Sequence, residues 1–108
     1  MRVDKMSANK HYIPAYIGGS IVGVSLTVQN PSNTDVSLTP YQGLFYVYQG
    51  QEYPLIVGNN DTIKAGLTFN TSREIDPSLI PSSDIKLMIS TGDLIDCVIN
   101  CNIMWSVE

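Results

Sequence analysis

Charge is scarce in this sequence. Asp, Glu, Lys and Arg make up 15% of its 108 residues, whereas 44% are hydrophobic. That composition belongs to a globular chain with a real core and excludes disorder as its main state. A surface so thin in charge, filled instead with Ser, Thr, Asn and Gln, gives poor protection against self-association. It points to a subunit of something larger.

Catalytic groups are nearly as scarce. His11 is the only histidine, so a Ser-His-Asp or Cys-His hydrolase would have a single candidate base, on a polar N-terminal arm. The acids are spread over turns and strand ends, as on a solvated surface, and not paired for acid-base work. Gly18-Gly19-Ser20 lacks the Lys-Ser/Thr ending of a phosphate loop, and Gly-x-Gly-x-x-Gly does not occur. The expectation is no enzyme and no cofactor.

The two cysteines, Cys97 and Cys101, read as thiols buried in the core. Four residues apart on a strand, they would sit about 13 to 14 Å from each other, too far for a disulfide. Zinc would require further ligands at suitable spacing. Asn59-Asn60-Asp61 could offer oxygens to calcium but lacks the denser acids of a dedicated site, so no metal is expected.

Long apolar runs are missing too. Pro14, Gly18, Gly19, Ser20, Gly23, Ser25 and Thr27 interrupt the stretch from Tyr12 to Val28, well short of the roughly 20 apolar residues a membrane span demands. Asp4 spoils the basic start of a signal peptide. The expectation is a chain made in the cytoplasm without a signal, which makes the glycosylation triplets at Asn60 and Asn70 coincidences.

What the sequence does have is period-two alternation between turn clusters. Val22, Val24, Leu26 and Val28 share one face, and Asn30-Pro31-Ser32-Asn33-Thr34 turns the chain into a return strand at Val36 and Leu38, read as a hairpin. Gly43 to Gln49 and Tyr53 to Val57 form a second hairpin across Gly50. Thr62 to Lys64 and Leu67 to Ser72 follow, broken near Ala65 and Gly66. Pro77, Pro81 and several serines mark a loop that carries the chain between sheets. Ile85, Leu87 and Ile89 alternate next. A last strand then places Ile95, Cys97, Ile99, Cys101, Ile103 and Trp105 on one face.

Seven or eight such strands in one domain predict an all-β antiparallel sandwich, immunoglobulin-like or fibronectin-like, with a single jelly roll as second choice. Residues 1–19 are an N-terminal arm or edge strand and residues 20–108 the sandwich. Within the net charge of −4, Arg2, Lys5 and Lys10 face only Asp4 in the first ten residues, so a basic arm leads an acidic body. Phosphate repulsion then makes nucleic acid a poor partner except through that arm. Tyr41, Tyr46, Tyr48 and Tyr53 are candidates for an exposed gripping stripe, or else half-buried sandwich positions.

Val-Ser-Leu-Thr-Val-Gln-Asn-Pro at residues 24–31, the following strands and Ile63-Lys64-Ala65-Gly66 together resemble the late embryogenesis abundant type 2 domain over residues 22–75. The resemblance implies a fibronectin-like sandwich in which Asn30 and Pro31 form a turn, and implies no catalytic residue. The leading expectation is a non-catalytic structural subunit that associates with itself or a larger shell protein, as a small capsid, vertex or decoration protein of a virion. The alternative is a type-2-like binding or stress-protection module. Arg2, Lys5, Lys10 and the four tyrosines are the candidate interaction residues.

Overall fold

The steadiest alternation in the chain, at Val24, Leu26 and Val28, lies on its central strand. The computed structural model describes residues 10–14, 19–81, 85–92, 94 and 96–107. These form β1 (Lys10–Pro14), β2 (Gly19–Gln29), β3 (Val36–Leu38), β4 (Gly43–Tyr48), β5 (Gln51–Val57), β6 (Asp61–Ile63), β7 (Thr68–Glu74), a 3-10 turn (Pro77–Leu79), β8 (Ile85–Ser90) and β9 (Val98–Val107). Every pairing is antiparallel. One sheet runs β1-β8-β4-β5, a second runs β7-β2-β9, and β3 with β6 makes a separate ribbon. Among the described residues no helix is long and apolar enough to cross a membrane.

The core forms because alternate side chains of both sheets turn inward. Val24, Leu26 and Val28 of β2 and Ile99 of β9 meet Leu44 of β4 and Leu87 and Ile89 of β8, while Leu38 and Ile63 bring the ribbon into the same cluster. The chain is therefore the expected all-β sandwich. In the immunoglobulin order the last strand lies beside its predecessor; here β9 pairs with β2, and β1 takes the place beside β8.

Local chemistry explains the connections. Gln49 and Gly50, with φ of 50° and 77°, make the two-residue turn of the β4–β5 hairpin. Gly43 must be glycine twice over: its φ is 140°, and a Cβ there would strike the carbonyl oxygen of Ile56. After β7, Asp76 caps the 3-10 turn by accepting from the Ser78 backbone N–H at 3.0 Å and its hydroxyl at 2.7 Å. These bonds hold the Asp76 carboxyl below its ordinary pKa. The chain then crosses to the other sheet, as its prolines and serines suggest.

Several expectations from the sequence need correction. β2 and β3 are not a hairpin, because β7 and β9 occupy both sides of β2; β3 pairs with β6 instead. Val22 does not share the inward phase of Val24: the β2–β9 register shifts between Ile21 and Gly23, and this bulge resets the alternation. β7 runs on to Glu74, past the expected end at Ser72, because Arg73 and Glu74 still pair with Val24 and Gly23. Cys97 lies before β9, in a turn where its N–H donates to Leu94 and Asp96 adopts a φ of 68°. Ile95 lies outside the described residues.

Candidate interaction surface

The arm's cations divide. Arg2 and Lys5 lie outside the described residues. Lys10 begins β1, and its Nζ sits 2.8 Å from Glu52 Oε2 on β5, so the bridge joins the two edge strands of the four-stranded sheet. The bond and charge of Glu52 raise the Lys10 pKa. Lys10 is thus engaged within its own chain. His11 belongs to this edge strand and not to a free arm: it stands opposite Ile89 with a buried Nε2 that has no hydrogen-bond partner.

The tyrosines separate as well. Tyr46 and Tyr53 face each other across the β4–β5 ladder with ring centroids 5.0 Å apart and planes 20° from parallel. Tyr46 packs against the core. Tyr48 is half-buried two residues further along the same face and receives a 3.4 Å hydrogen bond from Gln49 Nε2. Tyr41 is 82% exposed in the turn before β4, at the opposite end of that strand. The structure therefore groups Tyr46, Tyr48 and Tyr53 and leaves Tyr41 apart.

Two features of this surface carry no mark in the sequence. The first is a groove on the open side of the sandwich, between edge strands β5 and β7. Arg73 crosses it to donate from Nη1 to the Leu55 carbonyl at 3.1 Å. One lobe, of about 480 Å³, is lined by Pro40, Ile56, Val57 and Thr71 among others. The other, of about 120 Å³, runs between Tyr46 and Leu79. Arg73 gives no local signal because its place depends on the pairing of distant strands.

The second is the outer face of the three-stranded sheet. Asn70, Thr27 and Asn100 lie side by side across β7, β2 and β9, and Ser72, Ser25 and Asn102 form the next row. Thr27 Oγ1 donates to Asn70 Oδ1 at 2.7 Å. Polar alternation predicts an outward face; only the register shows that neutral side chains lie next to neutral ones.

Cys97 and Cys101 are free thiols. Burial pushes the Cys101 thiol up to about 11, and burial followed by the Asp96 charge raises Cys97. Among the described residues no three His, Cys, Asp or Glu side chains come together as metal ligands. Comparison of the chain with family models, curated proteins and solved structures finds no match.

Proposed function

We propose that this chain is a non-catalytic structural subunit, which works by packing against copies of itself or against a larger shell protein. The carrying observation is the pair of uncharged rows Asn70-Thr27-Asn100 and Ser72-Ser25-Asn102 on the three-stranded sheet. A protein neighbour can cover such a face and satisfy its hydrogen bonds without stripping water from an ion, the step that makes charged surfaces costly to bury. A virus particle, with the chain as capsid, vertex or decoration protein, is a setting that uses one small sandwich in many copies.

Sedimentation velocity of the purified chain, alone and mixed with the products of neighbouring genes, tests the reading. The expected result is a mass that rises with concentration or on mixing. A monomer at every concentration that binds none of those products would overturn it. That outcome would favour a monomeric binding module of the late embryogenesis abundant kind, for which the groove beside Arg73 is the supporting feature.

A further inference from the structure

We propose that β7 pairs with β7 of a second copy about a two-fold axis through Thr71, joining the two three-stranded sheets into one. The inference rests on the assembly reading above and adds to the polar face an edge contact between copies.

Among the described residues β7 ends its sheet, with β2 on one side only. The phase of its hydrogen bonds follows from two contacts beyond its ends: Asn30 N–H donates to the Leu67 carbonyl at 2.9 Å, and Ile75 N–H to the Val22 carbonyl at 3.0 Å. Antiparallel ladders alternate, so Phe69, Thr71 and Arg73 bond to β2, while Thr68, Asn70, Ser72 and Glu74 direct their N–H and C=O groups away from it. Thr68–Glu74 contains no proline or glycine, and its register with β2 is unbroken. It is a straight template for another strand.

The other edges are blunted or engaged. On β5, Pro54 has no N–H to offer, the register shifts beside it, and Arg73 takes the Leu55 carbonyl. β1 has five residues and ends on Pro14. On β9, Ile99, whose backbone faces away from β2, already has a partner.

β7 is also complementary to itself. Antiparallel pairing centred on Thr71 sets Asn70 opposite Ser72 of the second copy and Thr68 opposite Glu74, which matches the outward-pointing backbone groups pair for pair. On the inner face Thr71 meets Thr71, and Arg73, its guanidinium held at Leu55, stands opposite Phe69. No like charges stand opposite each other.

Substitution at the axis tests this. At a non-hydrogen-bonded antiparallel pair the Cα atoms lie about 4.5 Å apart, within reach of a disulfide. Thr71→Cys should therefore cross-link to a dimer under mild oxidation. Thr68→Cys, roughly 20 Å from its own copy in this register, should not. Ser72→Pro removes a donor from the free edge and none from the β2 ladder; it should weaken association about tenfold. Circular dichroism checks that each variant is folded. Wild-type association without a Thr71→Cys cross-link would overturn the β7 pairing and leave the assembly reading standing. A wild type that never associates with itself overturns the pairing; if it also ignores the neighbouring gene products, the assembly reading falls with it.

Discussion

Asn30 Nδ2 lies 3.0 Å from the carbonyl oxygen of Ile63, a buried hydrogen bond that ties the end of β2 to the end of β6. The same amide donates to the Thr34 carbonyl at 2.9 Å, and Oδ1 accepts from the Ser32 hydroxyl at 2.7 Å. The Asn30 backbone bonds to Leu67 and Gly66. One side chain, 1% exposed, thus holds together the turns on either side of the ribbon.

Asn30→Ala should destabilise the fold by about 1–3 kcal/mol, because the Ile63 and Thr34 carbonyls both lose the amide that donates to them. Ser32→Ala should lose about 1 kcal/mol or less, since Ser32 is half-exposed and water can replace it. Urea denaturation of both variants checks the order. Equal and small losses would mean that the amide network follows the turn and does not hold it.

His11 supplies the opposite case. Its Nε2 is buried without a partner, and the ring faces inward opposite Ile89. His11→Leu removes an unsatisfied polar atom and keeps apolar volume, so the thermal midpoint should stay level or rise, by up to about 1 kcal/mol of stability. A clear fall would show that the imidazole holds something the sandwich needs.

Alternation reports which face a side chain takes, and this is why the inward set Val24, Leu26, Val28, Leu87 and Ile89 is legible in the sequence itself. The turn at Gly50 is legible for a similar local reason, since glycine takes the positive φ it calls for, whereas Gln49, read as strand, shares that turn with a φ of 50°. Which strand lies beside which is not a local property. β3 looks like the partner of β2 because it follows it, yet it pairs with β6, whose connection to β2 runs through Asn30. The bulge at Val22 adds a residue without changing the composition. Arg73 becomes a clasp only once β5 and β7 stand on the same open side. Function is less legible still, because an edge strand is defined by the neighbour it lacks.

Stability should fall in alkali, and the thiols set the window. Both cysteines have raised pKa values in the folded chain, Cys101 from an ordinary 9.0 to about 11. Above pH 9 the unfolded chain has released thiol protons that the folded chain still holds, so rising pH favours unfolding. The thiol contribution is fully present below pH 9, declines as pH rises, and levels off for Cys101 once its folded form also ionises near 11. Urea midpoints measured across this range should drop for the wild type and drop less steeply for Cys101→Ala, with Cys97 and Lys10, whose pKa values are also raised, contributing to the remaining slope. Comparing slopes separates the titration from the small cavity the substitution leaves beside Leu26, its cross-strand neighbour. An identical slope in the variant would show that Cys101 ionises as freely in the folded chain as in the unfolded one, and that β9 does not bury it as described.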